Sequence, residues 1–556
     1  MGVPATERET TRLRLLVELP RPGSEERARL RHAVRRSLDP DARGRPWTIA
    51  RLFPPDPTDA EREAGRFLTV EGAVEVSPSY ALNRVAFDRA RQLAAATGFA
   101  VEPDLPATIY DRRALDRVAP AFAWDGSLPA AASDASASLP KGWALTAIRA
   151  PEAWALPAPA GGLTNGQGVL VGHPDTGYTR HPELVLGAML DLTRDRDVIS
   201  GDDDALDPLD DGFFGRGNPS HGTQTASVIA SRGSRSVTGV ARRATIVPIR
   251  TITSVVQVFD GDVARAVDHA RRSGCHVISM SLGGVGFSGL QAAIRLAVAD
   301  GVIVLAAAGN EVGFVVAPAN YPECIAVAAT GPDDTPWDGS SRGPEVAISA
   351  PGDGVWTAKT RGSAARPVYD VRQGSGTSFA VAHVAGAAAL WLAFHGRDAL
   401  VRRFGKPALQ GVFRGLVQRT ARRPAGWDTG RFGAGILNAE ALLAATLPSG
   451  AAGRRQLVIA PALDDDVDRI ARLLPELGRE QVEARLQGVL GARAAALDAF
   501  VAANGAELAY LLAENRELRD AFVAEGAAAA ADAPAAGEAR RLLARHASAS
   551  LIRALA

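Results

Sequence analysis

Five short apolar runs, at residues 169–172, 245–250, 276–281, 302–307 and 325–329, constrain this chain more than any other feature. A strand with one face in water alternates apolar and polar residues, whereas a strand that is apolar almost throughout is buried on both faces. Segments with helical spacing separate the five runs. Buried strands alternating with helices predict an α/β fold, a parallel sheet with helices on both faces, spanning residues 143 to about 444.

The flanks read differently. Residues 10–125 mix strand-like pieces such as 13–19 with helical ones such as 83–96, where apolar residues recur at three and four, and they predict a small N-terminal α+β region. The Ala- and Ser-rich stretch 130–138 has too little apolar bulk to fold. Beyond the small-residue stretch 449–453, helical spacing at Ile470, Leu473 and Leu474, then at Val482, Leu486, Val489 and Leu490, predicts an α-helical C-terminal appendage, with 526–536 a flexible link inside it. The expected division is therefore residues 1–129, a propeptide-like or accessory domain; 130–140, a linker; 141–447, the α/β domain; and 448–556, the helical region. The apolar stripe of that last region suits a core or a helix-pairing surface, including one that meets a partner, with membrane contact as the alternative.

Acidic and basic residues balance at 62 each, so nothing in the charge calls for nucleic acid or an anionic membrane. Two cysteines, Cys275 and Cys324, make neither a disulfide framework nor a zinc cluster. Each is expected as a small apolar residue at the start of a buried strand, with a single bridge as the alternative. The N-terminus mixes charges without the apolar stretch of a secretory signal, and no uninterrupted apolar run of about 20 residues follows. No membrane span is expected, and as written the chain is expected in the cytoplasm, with export by another route left open.

Chemistry enters through three short segments: His173-Pro174-Asp175-Thr176-Gly177, His221-Gly222-Thr223, and Gly376-Thr377-Ser378-Phe379-Ala380. A serine hydroxyl is a poor nucleophile at neutral pH. It needs a base beside it and a carboxylate that fixes the base's tautomer. Asp175, His221 and Ser378 supply these groups in the order Asp, His, Ser. Asp175 ends an apolar run, where open parallel sheets present functional groups. Ser378 begins a small-residue helical segment, whose first backbone N–H groups lack intrahelical partners and favour negative charge. Asn310 ends the run Ala306-Ala307-Ala308-Gly309-Asn310 and carries an amide able to stabilise an oxyanion. His173 stands two residues before Asp175, on the same strand face, and is expected to pack beside the site rather than to act as its base.

In order and in motif these segments resemble the subtilisin-like serine peptidases, the subtilases. The resemblance covers roughly the 300 residues of the α/β region and extends to Ser281-Leu282-Gly283-Gly284, the 321–327 segment, Ala350-Pro351-Gly352 and the closing segment 432–439. It implies a subtilisin-like parallel sheet and a serine endopeptidase that acts on protein or peptide substrates through an acyl-enzyme. The triad would be Asp175, His221 and Ser378, with Asn310 at the oxyanion. The resemblance also implies that Ser281, Leu282 and Gly283 together with Ala307, Ala308 and Gly309 line the primary specificity pocket. Their small residues lead us to expect a fairly open pocket without fixed charge.

No redox cofactor or nucleotide is required, and no residue is assigned as a metal ligand. The acidic run Asp202, Asp203, Asp204, Asp207, Asp210 and Asp211 reads as a solvated loop, with calcium as the alternative, since that ion takes six to eight oxygen ligands. Where the family has Pro after the serine, this chain has Ala382, which is compatible with the same helix. Residues 143–154 resemble the mature family start, so the preceding region stands where subtilases carry a propeptide. Two rivals share these residues: a catalytically silent subtilase fold that binds peptides or assembles through its C-terminal helices, and a hydrolase of some other bond.

Overall fold

The computed structural model describes residues 9–38, 46–55, 64–76, 81–108, 139–186, 188–210, 217–234, 236–255, 257–449, 466–490, 497–524 and 536–555. Seven parallel strands form its central sheet, in the order Val346–Pro351, Ile325–Thr330, Ile303–Ala307, Val277–Met280, Leu170–Asp175, Thr245–Arg250 and Arg196–Asp197. The five apolar runs are five of these strands. Ile303–Ala307 shows why such a run is apolar throughout. Ile303, Leu305 and Ala307 enter one core while Val304 and Ala306 enter the other. Helices His221–Ala230 and Thr377–His395 cover the first face, and Asp260–Arg272 and Ser288–Ala299 cover the second.

Thr377–His395 is long and apolar enough to cross a bilayer, yet the window that qualifies lies wholly inside the fold. Its Ala and Gly residues let it pass close to the sheet. The helix is apolar all round because protein surrounds it. Cys275 and Cys324 are buried free thiols, and burial pushes the Cys275 thiol up to about 12.

The N-terminal region is an α+β unit, as expected. An antiparallel sheet in the order Thr48–Arg51, Phe67–Val76, Glu9–Glu18, Ala100–Pro103 carries helices Ser24–Ser37 and Leu82–Thr97 on one face. Its other face, through Leu16 and Phe67, joins the core of the peptidase-side helices with Val263, Ala264 and Leu290. Arg14 spans this junction, donating to Asp104 at 2.8 Å and to Asp262 at 2.7 Å. The expected linker falls mostly outside the described residues, as do Asp211 and most of the 526–536 link.

Six described helices, from Asp466–Arg472 to Ala549–Leu555, make up the C-terminal region. They pack against both other regions. Their core takes in Val312, Phe314 and Val316 of the α/β domain. They also grip the N-terminal unit: Arg91 pairs with Glu507 and donates to Ser548 at 2.6 Å, Ser550 N–H donates to Asp88 at 2.9 Å, and Phe87 lies 5.4 Å from Tyr510.

Candidate active site

Asp175, His221, Ser281, Asn310 and Ser378 come from sequence-distant segments that end at one edge of the sheet. Asp175 is the last residue of Leu170–Asp175, Ser281 follows Val277–Met280, and Asn310 follows Ile303–Ala307. These three strands are neighbours in the order 303–307, 277–280, 170–175, so their carboxyl ends meet at the middle of the sheet.

His221 Nδ1 lies 2.7 Å from Asp175 Oδ1. A carboxylate only accepts, so Nδ1 carries the proton and Nε2 keeps its lone pair. Asp175 is fully buried, and its oxygens are partnered: Thr176 N–H donates to Oδ1 at 2.7 Å and the Thr225 hydroxyl lies 3.3 Å from Oδ2. Burial by itself would raise this carboxyl, but His221 and the Thr176 N–H outweigh it and hold the group below the ordinary range. His173 packs beneath, with Nε2 3.0 Å from the Thr225 hydroxyl and 3.8 Å from Asp175 Oδ2. Burial lowers its proton affinity, which leaves it a neutral neighbour as expected.

The approach of the two segments demands glycine at position 222. A Cβ there would lie 2.1 Å from the Gly177 carbonyl oxygen. Asp207, expected in a solvated loop, is 4% exposed and ties the two segments together. It accepts from Ser220 N–H at 2.7 Å, the Thr176 hydroxyl at 2.8 Å and Leu209 N–H at 2.8 Å, while Thr176 Oγ1 accepts from Gly222 N–H at 3.0 Å. Nothing in the acidic run marked this one carboxylate as buried. Its neighbours Asp202 and Asp204 accept from nearby backbone N–H groups, and Asp203 pairs with Arg196. Among the described residues no group of three or more His, Cys, Asp or Glu is placed to hold a metal.

Ser378 lies in the first turn of Thr377–His395, where its backbone N–H has no intrahelical acceptor. The next residue, Phe379, has its ring 6.4 Å from that of His221. Among the described residues no hydrogen bond joins Ser378 Oγ to His221, a separation common before substrate binds. Asn310 Oδ1 accepts from Thr377 N–H at 2.9 Å and from the Thr377 hydroxyl at 2.8 Å. Two donors on the oxygen fix the amide so that its NH₂ edge remains for a ligand. Thr377 stood inside the serine motif, but its role depends on a partner 67 residues away.

The two pocket segments also meet here. The Ser281 hydroxyl donates to the Ser378 carbonyl at 3.1 Å, and Gly309 N–H donates to Thr377 Oγ1 at 3.2 Å. Val316 packs against both segments: a Cβ on Gly283 would lie 2.3 Å from Val316 Cγ2, and one on Gly309 would lie 2.9 Å from both Val316 Cγ1 and Ser341 Oγ.

A serine at a helix N-terminus, a buried carboxylate–histidine pair and an oriented amide at the edge of a parallel sheet coincide with a sequence match. The Subtilase family model, Peptidase_S8, matches residues 166–435, and thermitase of Thermoactinomyces vulgaris is 32% identical over 296 residues, 52% of this chain and 92% of that protein. The chain belongs to the subtilase family. Subtilisin Savinase of Lederbergia lenta is 30% identical over 302 residues, 54% of this chain and 97% of that one. The structure of fervidolysin from Fervidobacterium pennivorans, a keratinolytic enzyme related to subtilisin, covers 80% of this chain and 63% of its own with a TM-score of 0.52 at 23% identity, a likeness of fold. This subtilase is accordingly a serine endopeptidase with the subtilisin-like α/β fold.

Proposed function

We propose that Ser378 is the nucleophile of this endopeptidase, His221 its general base and acid, Asp175 the group that orients His221, and Asn310 with the Ser378 N–H the oxyanion donors. Ser378 Oγ attacks the scissile carbonyl as its proton passes to His221 Nε2. Asp175 steadies the imidazolium so formed, and the carbonyl oxygen, now anionic, takes hydrogen bonds from Asn310 Nδ2 and Ser378 N. The intermediate collapses with the proton returned to the leaving amine. Water then repeats the sequence on the acyl-enzyme. No metal or organic cofactor takes part in these steps.

The single observation that carries the assignment is the buried His221–Asp175 pair at 2.7 Å, which leaves Nε2 basic. A module that only binds peptides has no use for such a pair or for an amide held by two donors. The rival reading as a silent fold is therefore not favoured.

The N-terminal unit acts as a propeptide-like inhibitor in this reading. Its final strand, Ala107–Thr108, pairs antiparallel with Gln257–Val258, and that strand runs beside the pocket segment, since a Cβ on Gly284 would lie 3.7 Å from Val258 Cβ. A strand added at this edge lies beside the pocket segment, where an extended peptide could pair in the manner of added-strand recognition.

Labelling by a fluorophosphonate serine probe tests both parts. Wild type is expected to label and Ser378→Ala to stay unlabelled, and the mass of the labelled species is expected to begin beyond residue 108. An unlabelled wild type, even after the N-terminal unit is cut away, would sink the assignment; an active species that still carries residues 1–108 on the same chain would sink the propeptide reading.

A further inference from the structure

We propose that Val316 closes the primary specificity pocket, so that this enzyme accepts only glycine or alanine immediately before the scissile bond. The proposal deepens the assignment of Ser378 and Asn310 and rests on it. With the carbonyl of the scissile bond held between Asn310 Nδ2 and Ser378 N, the substrate side chain next to it must enter the gap between 281–283 and 307–309. Both walls of that gap already touch the valine. Its two methyl carbons lie 2.9 and 3.2 Å from the Cβ that Gly309 lacks, and one of them lies 2.3 Å from the Cβ that Gly283 lacks. Real Cβ atoms essentially never approach closer than 3.0 Å, as the nearest contact on each wall would, so the glycines on both walls leave space that the valine has taken rather than space for a ligand.

The valine has little freedom to step aside. It is 3% exposed, and its β-branch restricts rotation about χ1. The backbone is pinned on both sides: Val316 N–H donates to Ala308 at 3.0 Å, Gly284 N–H to the Ala317 carbonyl at 2.8 Å, and Ala317 N–H to the Gly284 carbonyl at 3.1 Å. Behind it the C-terminal helices pack on Val312, Phe314 and Val316 in one core, with Arg519 5.4 Å over the Phe314 ring. A larger substrate side chain would have to displace this wall together with the helices that brace it. The helical region thereby bears on substrate choice without contributing a residue to the chemistry.

Four peptide p-nitroanilides that differ only in the residue before the scissile bond, Gly, Ala, Leu or Phe, test the proposal on the full chain as it matures. For wild type, kcat/KM is expected to favour Ala over Phe by about a hundredfold or more, the scale on which a filled pocket discriminates. Val316→Gly is expected to lower that ratio at least tenfold by gaining activity on Leu and Phe, and Val316→Ala to fall between. Fluorophosphonate labelling of Ser378 counts the competent sites in each preparation, so a poorly folded Val316→Gly is recognised and Val316→Ala decides in its place. Equal cleavage of Ala and Phe by wild type would overturn the proposal, as would an unchanged ratio in the labelled variants. Absence of label from wild type would instead remove the peptidase assignment on which the proposal rests.

Discussion

Two aspartates flank the candidate site and behave in opposite ways. On the base side, Asp175 is sealed in the interior but accepts from His221, Thr176 and Thr225, and its carboxyl is held below the ordinary range. On the pocket side, Asp260 stands 3.4 Å from where a Cβ on Gly284 would be. Its Oδ1 is shut off from solvent with no hydrogen-bond partner. Burial, reinforced by the charge of Asp104, pushes the Asp260 carboxyl up to about 8. Depth alone does not set the charge of a buried acid; the charges beside it and the donors aimed at it weigh against burial, and at Asp175 the neighbouring His221 tips the balance. The base side is a polar lattice in which a charge is useful. On the pocket side Arg469 does not offset burial and the charges of Asp104 and Glu102, and Asp260 spends neutral pH protonated.

Substitution separates the two sides most widely. Asp175→Asn is expected to cut kcat by about 10⁴, because the amide no longer holds His221 in the productive tautomer. Asp260→Asn, isosteric with the protonated acid, is expected to leave kcat within about tenfold. Comparable losses at both positions, in kinetics normalised by Ser378 labelling, would erase the distinction.

Between the two sides, Asn310→Ala is expected to lower kcat by roughly a hundred- to a thousandfold with KM little changed, since the amide acts on charge that exists only in the transition state. A loss in KM alone would move Asn310 from the oxyanion to ground-state binding.

The sign of the pH dependence sharpens the contrast. Asp260 has a raised folded value, so between the ordinary carboxyl value near 4 and about 8 the folded chain holds a proton that the unfolded chain has released. Its contribution to stability falls with rising pH over that window, by at most about 1.4 kcal/mol per pH unit, and levels off above about 8. Asp175, with a lowered folded value, contributes stability above the ordinary value that is lost as the pH falls through the folded one. Denaturant unfolding of the Ser378→Ala chain at pH 5 to 9 should show a decline that Asp260→Asn flattens. The same decline in the variant would mean that Asp260 is ionised throughout.

The smallest expected effect is at Thr377. Thr377→Val removes the hydroxyl that holds Asn310 Oδ1 at 2.8 Å but keeps the backbone donor, and should cost roughly 1 kcal/mol, about fivefold in kcat, with Thr377→Ser restoring it. No change in the valine variant would mean that the backbone N–H alone orients the amide.

The parts of the site legible in the sequence were those with a local cause. Asp175 closes a doubly buried strand, Ser378 opens a small-residue helix, and each sits in a motif short enough to read without partners. The helix 83–96 was read to within a residue at each end, as Leu82–Thr97, for the same reason. Asp207 was misplaced among solvated carboxylates because its donors, the backbone of Ser220 and the hydroxyl of Thr176, lie 13 and 31 residues away. Composition said only that acids were concentrated there.

By itself, then, the sequence determined the parallel sheet, the order of the candidate residues along the chain and the helical character of the C-terminal region, since apolar periodicity and motif chemistry act over a few residues. Only the tertiary structure decided which side chain meets the two pocket segments and the place of the C-terminal helices. Val316 reaches Gly283 and Gly309 because its segment folds back across two strand ends, and the helices that brace it also hold the N-terminal unit through Arg91 and Glu507, 416 residues apart. Contacts between apolar side chains are non-directional and carry no local signature. Which of them meet is settled only when the whole chain has packed.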